Sequence, residues 1–474
     1  MRHKGESVTV PASRLSLAVN GREYQLHDKL VQFDPSSTGP AGPTGLPGGN
    51  GGPDGSPAWS AAIVGLGYVG LPTALALHGR CPRIIGVDVS EDRLATIAAG
   101  KADLAETDRP RLGAALADGS LELTSKAAAI AEADTVIVCV PTPVDGDHRP
   151  ELTALRGACA TVVEHARPGQ TIILTSTTYV GTTRELLTEP LAARGLRAGQ
   201  DVYVAFSPER IDPGNPDHVQ RETPRVVGGA TAECTRRAAW VISQLTDVVY
   251  LVSSADAAEA TKLYENIFRA VSLALANEFA DACGTLGLDP IEVTLAAGTK
   301  PYGFLAAFPG PGVGGHCIPC DPHYLLWQLA RQDRPAPLIE QAMRSIADRP
   351  GRVADRAAEL LARDGIDLAG ATVLVVGVAY KAGVQDLRES PALPLIDHLT
   401  RRGAKVRYYD PLVPRVRLAD GQVMAGVTAP EGGDYSLAIV HTLHPGVDYS
   451  WVAACPRVLD GTYQFDGAPH RAVV

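Results

Sequence analysis

No run of about 18 apolar residues occurs anywhere in the 474-residue chain, which argues against a membrane-spanning helix. The first residues, Met-Arg-His-Lys-Gly-Glu, lack the apolar core of a secretory signal, so no signal peptide is expected. Basic residues are not in excess: 43 Lys and Arg stand against 53 Asp and Glu, a net charge of −10. They are also scattered, which excludes general nucleic-acid binding while leaving local arginines, lysines and helix N-termini able to hold an anion. The eight cysteines (81, 139, 159, 234, 283, 317, 320, 455) are too dispersed for a disulfide framework, and several lie in apolar stretches such as Val-Ile-Val-Cys139-Val. They read as buried thiols of a protein in a reducing cytoplasm. Cys317-Ile-Pro-Cys320 has no second C-x-x-C to complete a zinc site, so no metal is expected.

What is present is a globular composition, 45% hydrophobic, in a chain long enough for two or three domains. Residues 1–57 differ from the rest. An Asn-Gly pair at 20–21 between alternating residues suggests a short hairpin, and Gly, Pro and Ser dominate residues 35–57. This part is expected to be a disordered tail and flexible linker with no share in catalysis. From Trp59, short apolar strands at 61–64, 84–88, 135–140, 171–174 and 202–206 alternate with helical patterns, implying a parallel sheet covered on both faces. Residues 257–286 carry Leu263, Ile267, Val271, Leu275 and Phe279 at helical spacing, one long helix suited to a spine between domains and to a dimer seam. A second strand–glycine unit starts at Ala371. The expected fold is α/β: two Rossmann-like, doubly wound domains joined by a long central helix. Its parts are the tail (1–57), a first Rossmann domain (58–255), a central helical region (256–350) and a second Rossmann-like domain (351–474).

Gly65-Leu-Gly67-Tyr68-Val69-Gly70 follows a strand and opens a helix, the context a dinucleotide fingerprint requires. Asp88, ending the second strand, suits ribose hydroxyls and repels a 2′-phosphate, which favours NAD over NADP. Thr142 and Thr177 follow buried strands, where ligands bind in such sheets, though turn and cap roles are commoner for threonine. Glu209, also at a strand end, reads either as an acid/base group or as half of a surface salt bridge. Lys262 and Asn266 share a helix face and suit either an oxyanion site or an ordinary exposed pair. Cys317 lies in Gly310-Pro-Gly-Val-Gly-Gly-His316-Cys317-Ile-Pro-Cys-Asp321. A buried inert thiol is the usual fate of a cysteine, but the glycines, His316 and Asp321 point to an activated one. The second glycine turn, Gly377-Val-Ala-Tyr-Lys381, lacks a full fingerprint, and its lysine suits a phosphate better than a second dinucleotide.

Taken in order, Gly65 to Pro72, Val140-Pro-Thr-Pro143, Ser207-Pro-Glu-Arg210, Lys262-Leu-Tyr-Glu-Asn266, Gly312 to Pro322 and Ala379-Tyr-Lys381 through Arg388-Glu-Ser-Pro391 resemble the UDP-sugar and GDP-sugar dehydrogenase family. The resemblance implies a cytoplasmic, NAD-dependent, four-electron oxidation of a sugar C6 alcohol to the carboxylate, serving a surface polysaccharide or a secondary metabolite, in a homodimer or larger homo-oligomer. It implies a thiohemiacetal and then a thioester on Cys317, with Lys262 and Asn266 stabilising oxyanions and Asp321, Glu209 and Thr142 handling water and protons. NAD is assigned to Gly65, Gly67, Tyr68, Val69, Gly70, Asp88, Arg93, Thr142, Thr177 and Arg388. The UDP-sugar is assigned to Glu209, Arg210, Lys262, Asn266, Tyr302, Gly303, Phe304, Gly314 and Lys381. Within the family, residues 175–183, Asp212-Pro-Gly-Asn215 and Thr299-Lys-Pro-Tyr-Gly-Phe304 look like the branch acting on UDP-N-acetylglucosamine, with UDP-glucose and UDP-N-acetylmannosamine enzymes as neighbours. A non-catalytic nucleotide-sugar sensor is the alternative from another class. Three departures stand out: Cys320 replaces an aliphatic residue, which would permit a disulfide with Cys317; Asp460-Gly-Thr-Tyr463 lacks an arginine after the aspartate; and Ser345-Ile-Ala-Asp348 lacks an asparagine.

Overall fold

The computed structural model describes residues 16–19, 22–25, 30–32, 59–104, 108–210, 220–468 and 470–474. The Gly/Pro stretch 35–57, the Asn20-Gly21 turn and the Asp212–Asn215 motif lie outside the described residues. Two compact units divide the chain: Met1–Thr142 with Glu151–Lys262, and Pro143–Pro150 with Leu263–Val474.

In the first unit, β1 (Ser16–Val19) and β2 (Arg22–Gln25) pair antiparallel as the expected hairpin. Among the described residues the main sheet has nine strands: β3 (Leu30–Gln32), β4 (Ser60–Val64), β5 (Arg83–Val87), β6 (Leu121–Thr124), β7 (Thr135–Val138), β8 (Thr171–Leu174), β9 (Tyr203–Phe206), β10 (Arg225–Gly229) and β11 (Val248–Leu251). Its order is β3-β11-β10-β9-β8-β7-β4-β5-β6. From β6 to β9 the order is that of a doubly wound dinucleotide fold, reversing between β4 and β7. β7 and β8 are buried at every position, as strands covered on both faces must be.

Two pairings depart from the all-parallel expectation: β9 with β10, and β3 with β11, are antiparallel. Antiparallel neighbours need no crossover helix between them, so a strand can be added without extending the strand–helix alternation. β3 comes from the part of the chain read as tail, and it covers the edge strand β11.

The helix Ala255–Leu286 runs unbroken over 32 residues, and its first turns belong to the first unit. In the second unit, β12 (Thr372–Val376), β13 (Lys405–Tyr409), the hairpin strands β14 (Arg415–Arg417) and β15 (Val423–Ala425), β16 (Leu437–Val440), β17 (Val458–Asp460) and β18 (Arg471–Val473) follow. Five of these described strands form a parallel sheet in Rossmann order, β13-β12-β16-β17-β18, and β14 and β15 pair antiparallel in a sheet of their own. The helix Pro337–Ala362 passes through Pro350 without a break, so a boundary at 350/351 falls inside one element. No described helix is long and apolar enough to cross a membrane.

Candidate functional site

In the first unit, the turn after β4 is shaped by its outer glycines. Gly65 has φ +89°, and a Cβ on Gly70 would sit 1.8 Å from Gly65 O, so only glycine permits this approach. Gly67 differs: nothing lies within 4 Å of where its Cβ would be, which leaves room for a ligand. The helix Gly70–Leu77 opens beside it with no side-chain cap and no acidic residue in its first turn. Leu71 N and Thr73 N already donate to Gly67 O and Val69 O and Pro72 has no N–H, so what this helix start offers an anion is chiefly its dipole. Asp88 braces the turn: Oδ2 accepts from Leu66 N (2.7 Å) and Oδ1 from Ser90 N (2.9 Å). Each carboxylate oxygen keeps a lone pair for a ribose hydroxyl. Arg93 Nε donates to Leu66 O at 2.9 Å. Tyr68 is exposed and Val69 half-buried. These features fit NAD.

At the neighbouring strand ends Thr142 is buried, and Thr175 Oγ1 and Ser207 Oγ are buried with no hydrogen-bond partner. Thr177 is half-buried in the loop after β8. Glu209 is no surface salt bridge. It is buried and ion-paired with Arg225 on β10, Nη1 to Oε2 2.8 Å, while its backbone carbonyl accepts from Lys262 Nζ at 2.9 Å. Arg225 is only 2% exposed. Sequence reasoning missed it, because a lone arginine at the head of a short strand carries no pattern. Arg210 donates to Pro224 O at 2.7 Å.

Cys317, in the second unit, is the exposed thiol and the other seven cysteines are buried; none of the eight is in a disulfide. Its carbonyl accepts from Asp321 N (2.8 Å) and Cys320 N (3.3 Å), so the thiol stands at the turn leading into the helix Asp321–Ala330. Asp321 is buried in the first turn of that helix and accepts a short hydrogen bond from Asn266 Nδ2. Asn266 and Lys262 are thus both buried, not an exposed pair. Burial pushes the Cys320 thiol up to about 12, helped by the negative charges of Glu389 and Asp321. Burial, with the Arg388 guanidinium, lowers His316 below the usual imidazole range.

The glycines before Cys317 permit a close approach of backbone. Their close approach is to the protein itself: a Cβ on Gly315 (φ +82°) would lie 2.8 Å from the Tyr380 ring, and one on Gly314 2.6 Å from Tyr380 Cβ. The Cys loop is thereby packed on the second glycine turn. Between them lies a pocket of about 190 Å³ whose lining includes Asn277, Gly310, Gly314, Tyr380 and Lys381. Tyr302, Gly303 and Phe304 are exposed and do not line it; Lys300 Nζ sits 4.9 Å over the Tyr302 ring.

Arg388 forms a bidentate pair with Asp386 (2.6 and 3.0 Å), and its carbonyl accepts from Gly315 N. In this second turn Asp410 stands where Asp88 stands in the first. Its carboxylate accepts from Val378 N, Ala379 N, Leu412 N and Val413 N, and His444 lies against it at 3.2 Å. So many protein donors leave it poorly suited to a second dinucleotide's ribose. The arginine absent after Asp460 has a counterpart further on: Arg471 pairs with Asp460 at 2.9 Å.

Sequence comparison matches residues 60–246 to the NAD binding domain, 256–346 to the central domain and 374–469 to the UDP binding domain of the UDP-glucose/GDP-mannose dehydrogenase family. The chain belongs to that family. It is an NAD-dependent UDP-sugar dehydrogenase. Similar proteins include a UDP-N-acetyl-D-mannosamine dehydrogenase of Pyrococcus horikoshii, 35% identical over 78% of this chain and 87% of the relative. A UDP-N-acetyl-D-glucosamine 6-dehydrogenase of Salmonella typhi is 33% identical over 81% and 89%. Among solved structures, the UDP-D-ManNAc dehydrogenase of Pyrococcus horikoshii superposes with a TM-score of 0.79 at 31% identity, covering 87% of this chain and 98% of that one. A UDP-glucose dehydrogenase from Pyrobaculum islandicum gives 0.76 at 26%, covering 89% and 98%.

Proposed function

We propose that this dehydrogenase oxidises the C6 alcohol of a UDP-N-acetylhexosamine, with the glucosamine form favoured, to the uronate through covalent intermediates on Cys317. The carrying observation is that Cys317 alone of eight cysteines is exposed, at the N-terminal turn of a helix and four residues before the buried Asp321. NAD, when bound at the 65–70 turn, supplies hydride acceptance in each of two oxidations. The protein's own groups do the rest. A base removes the O6 proton as the alcohol becomes an aldehyde. The Cys317 thiolate then attacks C6, forming a C–S bond and a thiohemiacetal whose oxygen is stabilised by N–H donors of Lys262 and Asn266. Loss of the second hydride leaves a thioester. Water adds to it, the C–S bond breaks, and carboxylate and thiol are released, with Asp321, Glu209 and Thr142 moving the protons. Water supplies the second carboxylate oxygen, and two hydrides leave per sugar.

The glucosamine assignment rests on the sequence character of residues 175–183 and 299–304, and relatives bearing both the glucosamine and the mannosamine names match at similar identity. A homodimer is part of the proposal. Tyr264, Phe268, Leu275 and Phe279 form an exposed apolar stripe on the long helix, the kind of surface that a second copy covers.

NADH absorbance with NAD+ and a panel of UDP-N-acetylglucosamine, UDP-N-acetylmannosamine, UDP-glucose and GDP-mannose tests the reading. The expected result is turnover of UDP-N-acetylglucosamine at about two NADH per sugar, with the overall reaction lost in C317S. Turnover of UDP-N-acetylmannosamine alone would move the enzyme to that branch. Aldehyde as the sole product of the unmodified enzyme would overturn the covalent mechanism.

A further inference from the structure

One buried acid of the first unit has no part in that chemistry. Glu259 lies on the second turn of the helix Ala255–Leu286 and is 0% exposed. Its Oε2 accepts from Gly181 N at 2.6 Å, and its Oε1 from Thr183 N at 2.8 Å and Thr183 Oγ1 at 2.6 Å. Gly181 and Thr183 stand where the loop after β8 turns into the next helix, so their amides are among the N–H groups that a helix start leaves without intrahelical acceptors. A carboxylate from another element takes them, aided by the positive end of the helix. The loop it grips, 175–183, carries Thr177. Three residues after Glu259, on the same helix face, comes Lys262, whose ammonium holds the carbonyl of Glu209.

We propose that Glu259 is a positioning residue which fixes the Thr177 loop to the helix bearing Lys262, so that its ionisation tunes NAD binding. The inference rests on assigning that loop to NAD.

The charged groups on the elements that meet there are Asp256 and Lys262 on the same helix, Arg184, Glu185 and Glu189 on the next, Tyr179 in the loop, and the Glu209–Arg225 pair. Asp256 is drawn off by Arg184, at 3.4 Å, and Tyr179 donates to Glu185 at 2.6 Å. Burial raises the Glu259 carboxyl to about 7, against the three donors that favour its charged form. The anion offers full acceptors to all three. The neutral acid has one hydroxyl oxygen, a poorer acceptor whose proton competes for the same space.

The sign of the effect separates positioning from mere stability. A raised folded-state pKa gives stability that is complete below the ordinary carboxylate value near 4.5 and is lost as pH rises through about 7. Positioning of the loop runs the other way, since the anion grips it better.

NADH fluorescence titration of the full-length protein reads this without turnover, so a wrong sugar assignment leaves the test intact. NADH binding should tighten by about fivefold between about pH 6 and about pH 8 in the wild type. In E259Q, which keeps the shape but turns an N–H toward an N–H, binding should be weak and flat across that range. T183V deletes one donor to the anion, so the midpoint of the pH dependence should move upward; it decides the matter if E259Q does not fold. An E259Q that binds as the wild type does, or a midpoint unmoved in T183V, overturns the proposal. T177V checks the loop assignment: weakening in T177V with none in E259Q sinks the proposal and keeps the assignment. Weakening in E259Q with none in T177V removes Thr177 from the NAD site and with it the proposal that Glu259 acts through that loop.

Discussion

At the scale of single residues, burial sorts the chemistry. Cys81, Cys139, Cys159 and Cys320 are all pushed up to about 12 and Cys455 to about 11, with burial as the main cause, so they are protonated and shielded at neutral pH. The native protein should therefore show one fast-reacting thiol with a chromogenic disulfide reagent, and eight after denaturation. Loss of the fast thiol in C317S identifies it; several fast thiols in the native state would contradict the burial. The Glu209–Arg225 pair is the other residue-scale feature. Its atoms are close, but they lack an aligned hydrogen bond, so the pair is held mainly by charge. Removing one partner leaves an uncompensated buried charge. R225M should cost about 3–5 kcal/mol in urea unfolding, and the double variant E209Q/R225M should recover most of it. A loss in R225M below about 1 kcal/mol would mean that the pair does not organise this strand end.

Elements were legible wherever a local pattern matched the role. Apolar runs ending in glycine marked β4 and β12, and the strands expected at 84–88, 171–174 and 202–206 fall within a residue of where the pattern put them. The long helix was legible too, but not which of its residues are covered. Leu263 and Ile267 are buried, while Leu275 and Phe279 on the same spacing are exposed, because periodicity says which residues share a face and not what meets it. β10 pairs antiparallel with β9 and so leaves the strand–helix alternation, and β11, which follows it through the helix Ala232–Ser243, went unread with it. The helix Pro337–Ala362 was obscured by Pro350-Gly351, two residues that normally end a helix. The site shows the same division. Cys317, Asp321, Lys262 and Asn266 announce themselves by motif, whereas Glu259 and Arg225 act on backbone and charges far away in sequence. Gly351 offers a test of the helix. A Cβ there would meet His398 at an ordinary 3.6 Å, and its φ is not in the left-handed region. G351A should stabilise the protein by about 0.5–1 kcal/mol, measured by denaturant midpoint. A loss of stability would mean that the helix bends at this point in solution.

For the whole molecule, the unanswered surface is the long helix. Tyr264 and Leu275 are 71% and 64% exposed, and Phe268 and Phe279 are more than two-fifths exposed. The four occupy positions i, i+4, i+11 and i+15, so they form one stripe and not scattered contacts. Large side chains so arranged add about 25 cal/mol of favourable free energy per Å² when removed from water. A second copy of the chain presents the identical stripe, and two such helices packed about a twofold axis cover both at once. Sedimentation at micromolar concentration should therefore give a dimer or a multiple of it. L275E puts a charge at the centre of the stripe without touching the core, so it should yield a folded monomer with an unchanged far-UV spectrum. The wild type sedimenting as a monomer, or L275E remaining a dimer, would remove the stripe from the interface and require another partner for it.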